Sequence, residues 1–341
     1  MSAPADPTYD LIAIGGATWD AIVPADDGAI FEQAGRKYIG YPYGQKVYME
    51  RTYFGFGGGG ANVAVSAARL GLKTSYVGAV GTSHVAESIL DNFRESGVDT
   101  DFVKNDTEHR TGISFVLTAP DGERTVLLYR GANNYLSGAD VDWQHCTDTA
   151  WLYVSSLSGE SNRLYTKVAE TARQAGVKLA LNPGSTQIKR GTKGLHVALA
   201  DSAVLLLNED EARELLRQHG QAGEDVPEML KTLQGINQGI AVITEGAGGA
   251  QVYDGNNLYT LEPWPTTRIN TLGAGDAFGS TFVTALAKGE ALPQAIRYAN
   301  LNAAAVVSDY GAQASLLGWD ELVERAAAPS SQDWQPTVTK L

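Results

Sequence analysis

The chain has 341 residues, 43% hydrophobic and 19% charged, values of a globular protein with a large core and far from a disordered composition. Its 26 basic and 39 acidic residues leave a net charge of −13. That balance argues against nonspecific binding to nucleic acid or an anionic membrane, although a local loop can still hold a small anion. The single cysteine, Cys146, excludes an intrachain disulfide and a Cys-rich metal cluster and points to a reducing compartment. Met1 to Asp10 has no apolar stretch of signal-peptide type, and runs such as Ala203–Leu207 are far too short to span a bilayer. The expectation is a cytoplasmic enzyme of two domains, or of one large domain with an insert.

In chain order, Leu11–Ile14 reads as a buried strand closed by Gly15-Gly16, and Ala61–Leu70 carries apolar residues at helical spacing. Ser75–Val80 is a strand closed by Gly81, and Val85–Ser96 a helix ended by Gly97. Trp151–Val154 (strand), Ser161–Gln174 (helix), Val177–Leu181 and Ala203–Leu207 (strands), Glu209–His219 (helix) and Ile240–Thr244 (strand) continue the alternation. This rhythm predicts an α/β protein with a parallel sheet and helices on both faces. Two segments break it. Ala21 to Phe56 holds seven aromatic residues, from Tyr38 to Phe56, with few helical signals, and Thr111 to Tyr129 alternates around an Asp121-Gly122 turn. Both read as pieces of a small β-sheet that could cover a cleft as a lid, or as edge hairpins with no moving part. The division is then a core of residues 1–20, 57–110 and 130–341 and a lid of 21–56 and 111–129. The tail from Ala326 to Leu341 reads as a loosely held terminus.

Three motifs carry chemistry. Gly55-Phe56-Gly57-Gly58-Gly59-Gly60 matches G-x-G-x-x-G, but it lies far from the first strand and lacks the acidic residue of a dinucleotide site. It reads instead as a backbone hinge that lets a ligand approach. Asn270-Thr271-Leu272-Gly273-Ala274-Gly275-Asp276 precedes a helix, so that residues 273–275 offer backbone N–H groups to an anion where the helix dipole favours one. Asp276, in the first turn, can accept a proton from an attacking hydroxyl, or simply complement the dipole. Asn208-Glu209-Asp210-Glu211 follows a strand and suits either a hydrated Mg²⁺ or a helix capping box. No G-x-x-x-x-G-K-[ST] occurs, and the five histidines show no ligand spacing.

Together these motifs resemble the ribokinase (PfkB) family of carbohydrate and nucleoside kinases, from about Tyr9 to about Glu324. Gly57–Val65 resembles its N-terminal signature and Thr271–Asp276 its C-terminal one. Thr111-Gly112 with Gly131-Ala132-Asn133 is similar to ribokinase-like sugar kinases. The resemblance implies a three-layer α/β/α sandwich with a mostly parallel sheet and a β-sheet lid, and dimerisation through that lid. It implies Asp276 as catalytic base, Gly273, Ala274 and Gly275 as anion hole, and Asn208 and Glu211 ordering Mg²⁺ largely through water. Thr244, Gly246 and Gly249 would touch the phosphates of ATP and Asn300 the adenine side, while Asp20, Gly57, Gly58 and Asn62 would bind the sugar. Asn270 stands where K⁺-activated members usually have Asp, which argues against a K⁺ site, although Gly311 and Ser315 otherwise fit its second loop. Gly59 stands where ribokinases carry Lys, and Val154–Ser158 lacks their sugar-binding Glu, so two polar groups that would fix a pentose are missing and the case for ribokinase activity itself is weakened.

The leading reading is an ATP-dependent kinase acting on a hydroxyl of a small sugar. A nucleoside kinase with the lid aromatics stacked on a base, or a phosphosugar kinase using Arg36, Lys37 or Arg130, stays open. From other classes come a noncatalytic sugar- or nucleotide-binding regulator, and a nicotinamide-dependent oxidoreductase suggested only by the glycine string.

Overall fold

The computed structural model describes residues 7–24, 28–119, 123–221, 223–331 and 333–341. The expected Asp121-Gly122 turn lies outside them. Ten strands form the main sheet in the order Thr337–Lys340, Asn257–Leu261, Ala250–Tyr253, Ile240–Thr244, Val204–Asn208, Lys178–Leu181, Thr149–Val154, Tyr9–Ile14, Thr74–Val77 and Val98–Asp99. The last seven run parallel and the first three are antiparallel at one edge.

Period-two alternation decides the layering. In Tyr9–Ile14, Leu11 and Ala13 enter one hydrophobic core while Ile12 and Ile14 enter the other. Thr149–Val154 repeats the division, with Trp151 and Tyr153 on one side and Leu152 and Val154 on the other. Such strands read as continuous apolar runs because both faces are covered. The helices Gly59–Arg69, His84–Glu95, Ala274–Ala287 and Leu292–Val307 cover the first face, and Leu164–Ala175, Glu209–Gln218 and Val226–Asn237 the second. The result is the expected three-layer α/β arrangement.

A second, mixed sheet of four strands stands off the first, in the order Arg124–Tyr129, Gly112–Thr118, Thr18–Pro24 and Tyr53–Gly57. It is the lid sheet. The residue-20 boundary expected between core and lid falls inside the strand Thr18–Pro24, which places Asp20 on the lid. Because only Gly15–Ala17 separates Tyr9–Ile14 from that strand, the lid begins directly at the carboxyl end of the main sheet.

Three expectations are corrected. Residues 29–40 form a separate exposed hairpin, Ala29–Gln33 with Arg36–Gly40, that pairs with neither large sheet. The strand expected over Ser75–Val80 is two: Thr74–Val77 stays in the main sheet, while Ala79–Val80 pairs with Lys104–Asn105. The C-terminal tail is tied down. Thr337–Lys340 extends the main sheet, and buried Arg297 donates to the carbonyls of Trp334 (3.0 Å), Ala326 (2.9 Å) and Ser331 (2.8 Å). Polar, Pro-containing composition concealed this, because its partners are distant in sequence. No helix among the described residues is long and apolar enough to cross a membrane.

Candidate active site

The strand order reverses between the parallel neighbours Tyr9–Ile14 and Thr149–Val154: from the former the sheet builds outward to Thr74–Val77, from the latter the opposite way. Ligands of open α/β sheets bind at such switch points, beyond the carboxyl ends of the strands. Two cavities meet there. One, of about 250 Å³, is lined by Gly15, Asp20, Gly58, Asn62, Ser114 and Arg130 among others. The other, of about 710 Å³, is lined by Asn208, Glu211, Thr244, Gly246, Gly249 and Asn300 among others. Gly59, Ser156, Leu272, Gly273 and Asp276 line both.

Asp276 sits in the first turn of Ala274–Ala287, whose cap is Gly273 in the left-handed region (φ 81°). Burial pushes its carboxyl above the usual carboxylate range, and a hydrogen bond from Asn62 opposes that shift. The bond runs from Asn62 Nδ2 to Asp276 Oδ2 at 2.8 Å. Behind it stands a chain of amides, Asn92 Nδ2 donating to Gln313 Oε1 (2.9 Å) and Gln313 Nε2 to Asn62 Oδ1 (2.9 Å). Each donor points toward Asp276, so the orientation of Asn62 is settled by its neighbours. Gln313 had no signal in the sequence: it lies in an irregular loop 37 residues beyond Asp276.

From Gly57 to Gly60 the glycine string has a structural reason at each position, whereas a Cβ on Gly55 would meet nothing within 4 Å. Gly58 caps Gly59–Arg69 at φ 89°, and a Cβ there would lie 2.7 Å from Ala17 Cα. At Gly57 a Cβ would overlap the Asp20 carboxylate, and at Gly59 it would overlap Ser155 Oγ. At Gly60 it would lie 2.7 Å from Gly15 Cα. The close approach is thus to the protein's own atoms. Gly57 lines neither cavity; its part is to make room for Asp20.

Asp20 is buried, accepting from Thr18 Oγ1 at 2.8 Å and from Ser114 Oγ. Burial raises its pKa and the two hydroxyls lower it. Ser114 was legible only as an inward position of an alternating strand.

Asn208 and Glu211 form a complete capping box: Glu211 N–H donates to Asn208 Oδ1 (2.9 Å) and Asn208 N–H to Glu211 Oε2 (3.1 Å). Glu211 Oε1 also accepts from Ser185 Oγ (3.0 Å). Burial pushes Glu211 above the usual carboxylate range, and the charge of Asp276 adds to that, against hydrogen bonds from Asn208 and Ser185. Two carboxylates that disfavour each other across one cleft fit a divalent cation, and oxygens already engaged in the box fit one held through water.

Thr244 ends Ile240–Thr244, and Gly246 and Gly249 bound the turn that follows, both at positive φ. Asn300 spends its amide on the backbone, accepting from Trp264 N–H (2.8 Å) and donating to Glu262 O (3.3 Å). It thereby holds Trp264, a wall of the larger cavity, against which Trp334 of the tail packs edge-on. From the lid, Arg124 lines the larger cavity and donates to Thr271 Oγ1 at 2.6 Å, two residues before Gly273. None of the aromatic residues between Tyr38 and Phe56 lines either cavity, and of the three cations suggested for a second phosphate only Arg130 does.

A model of the pfkB family of carbohydrate kinases matches residues 29–318. The chain is 30% identical to a ribokinase of Haemophilus influenzae over 303 residues, covering 84% of this chain and 93% of that one. It is 27% identical to a 5-dehydro-2-deoxygluconokinase of Shouchella clausii over 271 residues, covering 76% and 82%. In fold it is similar to Arabidopsis thaliana ribokinase complexed with ribose and ATP, with a TM-score of 0.76 at 21% identity over 94% of this chain and 99% of the other.

Proposed function

The chain belongs to the pfkB family of carbohydrate kinases, and on that premise we propose that it transfers the γ-phosphate of ATP to a hydroxyl of a small sugar. The observation that carries this reading is the place of Asp276, on the wall shared by a cavity of monosaccharide size and a larger cleft. With Oδ2 held by Asn62, Oδ1 is the oxygen left to take the acceptor's proton. The acceptor oxygen then forms its bond to the γ-phosphorus as the bond to the leaving ADP breaks. Charge building on the transferring group meets the backbone N–H groups at Gly273, Ala274 and Gly275, at the positive end of a 14-residue helix. Arg124 supplies a cation from the lid side of the same cleft. Asn208 and Glu211 would hold Mg²⁺ mostly through water, and the ion would neutralise phosphate charge. Thr244, Gly246 and Gly249 form the turn against which the nucleotide phosphates would lie. On the acceptor side Asp20, Gly58 and Asn62 would bind sugar hydroxyls.

A coupled ADP-release assay with ATP and Mg²⁺ tests the reading over ribose, fructose, 2-keto-3-deoxygluconate, adenosine, cytidine and fructose 6-phosphate. A selective sugar response is expected. ATP binding with no ADP formed from any acceptor would favour the noncatalytic regulator.

The same assay is expected to be indifferent to K⁺. Asn270 is buried, its Oδ1 accepts from Leu272 N–H (2.9 Å), and its Nδ2 has no partner among the described residues. Where a bound cation needs oxygens, this side chain presents a donor. Ser315 Oγ is meanwhile engaged with Asp309 (2.9 Å). Activation of several fold by K⁺ over Na⁺ would count against this assignment.

We also propose a homodimer through the lid. Phe54, Phe115, Leu127 and Tyr129 stand exposed on one face of that sheet, an apolar cluster of the kind that marks protein–protein contacts. Sedimentation equilibrium is expected to give twice the monomer mass, with Phe115→Asp shifting it to monomer. A wild-type monomer at micromolar concentration would end this proposal.

A further inference from the structure

We propose that the acceptor is an anionic sugar, whose carboxylate or phosphate is received by Arg130; this rests on the kinase reading and names its substrate class. Arg130 follows the lid strand Arg124–Tyr129 and lines the smaller cavity beside Leu128, Asn133 and Ser158. It is the only lysine or arginine among the described residues that does so. It is half-buried, and no ion pair or side-chain hydrogen bond is formed by its guanidinium among the described residues.

Other shielded cations of this protein are satisfied. Lys104 pairs with Asp140 at 3.0 Å and Arg297 donates to three carbonyls; even Arg69, which is more exposed, donates to the carbonyl of Gln313 at 2.8 Å. Arg130 alone of these four faces a cavity. Its charged neighbour is a second guanidinium, Arg190 at the end of the helix Ser185–Arg190; burial and that like charge both push its pKa below the ordinary arginine value. A shielded cation without a counter-ion, next to another cation, is costly, and an anion in the cavity removes the cost.

The rest of the lining supports the same conclusion. Asp20 and Asp276 both border this cavity, so an anionic acceptor would be repelled unless a cation shared the space. A neutral sugar needs no such cation. A guanidinium also matches carboxylate and phosphate alike with two parallel N–H donors. Both are therefore admissible sources of the charge, and a volume of about 250 Å³ suits a single sugar ring or open-chain sugar acid.

The test is calorimetric binding of matched pairs to the full chain without nucleotide. The pairs are D-gluconate with D-glucose, 2-keto-3-deoxygluconate with 2-deoxyglucose, and D-fructose 6-phosphate with D-fructose. At least one anionic member is expected to bind ten- to a hundredfold tighter than its neutral partner, the value of a charge-assisted contact. Arg130→Gln should erase that ratio and Arg130→Lys retain part of it, while Arg190→Gln lowers it less. Preference within the first two pairs assigns a carboxylate, within the third a phosphate. Equal binding within every pair overturns the proposal, as does an anionic preference that survives in R130Q. Because the readout is binding, it is separate from turnover: tight anionic binding without ADP release would refute the kinase reading and leave the anion site standing.

Discussion

The Asp276→Asn enzyme turns over about 10²–10⁴-fold more slowly than wild type, the range for loss of a positioned general base, while binding of nucleotide and sugar persists. The amide matches the carboxylate in shape, and its oxygen can still accept from Asn62. What it lacks is the capacity to take a proton. Stability moves the other way. A carboxyl whose pKa is raised on folding weakens the fold wherever it is ionised, so D276N melts at or above the wild-type temperature near pH 7. That advantage disappears as the pH falls through the unfolded-state carboxylate value, near 4. Turnover within tenfold of wild type would remove Asp276 from the mechanism.

The amide chain makes the same assignment testable through pH. Asn62's hydrogen bond is what holds the Asp276 pKa down against burial. Asn62→Ala is therefore expected to move the acidic limb of kcat/KM to higher pH. Gln313→Ala, which acts only through Asn62, moves it the same way by less. A purely structural role for Gln313 would lower the rate at every pH and leave the limb where it is.

Gly275→Ala is expected to separate stability from activity in the opposite sense to most core substitutions. Gly275 lies in the first turn of Ala274–Ala287, is exposed, and a Cβ on it would meet no protein atom within 4 Å. Alanine in a helix is favoured over glycine by about 0.5–1 kcal/mol, so the variant folds at least as well as wild type. Nothing in the packing demands glycine here. If the 273–275 backbone is the anion hole, an added methyl stands where the phosphoryl group must approach, and kcat falls about 10²–10³-fold, as for loss of an oxyanion donor. Gly273→Ala is the contrasting variant. Its φ of 81° and the Ala312 Cα 2.7 Å from its Cβ position predict a stability loss of about 2–4 kcal/mol besides the lost activity. A G275A enzyme of wild-type turnover would relocate the anion site.

Much of the architecture was legible in local pattern. Strands such as Tyr9–Ile14 and Thr149–Val154 are apolar at every position the two covered faces require, and glycine marks where helices end, as at Gly97 after His84–Glu95. These are properties of a few consecutive residues, so they survive without a fold. The same holds for the backbone of Leu272–Asp276 and the capping box at Asn208 and Glu211. The tail was misread for the opposite reason: Thr337–Lys340 has exposed side chains, and only its ladder to Asn257–Leu261, with the carbonyls of Ala326, Ser331 and Trp334 held by Arg297, ties the tail to the main sheet. The exposed hairpin over 29–40 likewise carries strand-like residues but no signal for which sheet would receive them.

What the sequence determined alone is therefore the α/β class, the helix N-terminus that offers backbone N–H groups at 273–275, and an acid beside it, because turn chemistry and periodicity are written in neighbouring residues. Tertiary structure alone decided which groups face one another. It set Asp276 where two cavities meet, aligned Asn92, Gln313 and Asn62 behind it, and left Arg130 in the smaller cavity without an ion pair among the described residues. Those relations join residues up to 251 positions apart, and a hydrogen bond or a burial cost exists only once folding has brought its partners together and removed the water between them.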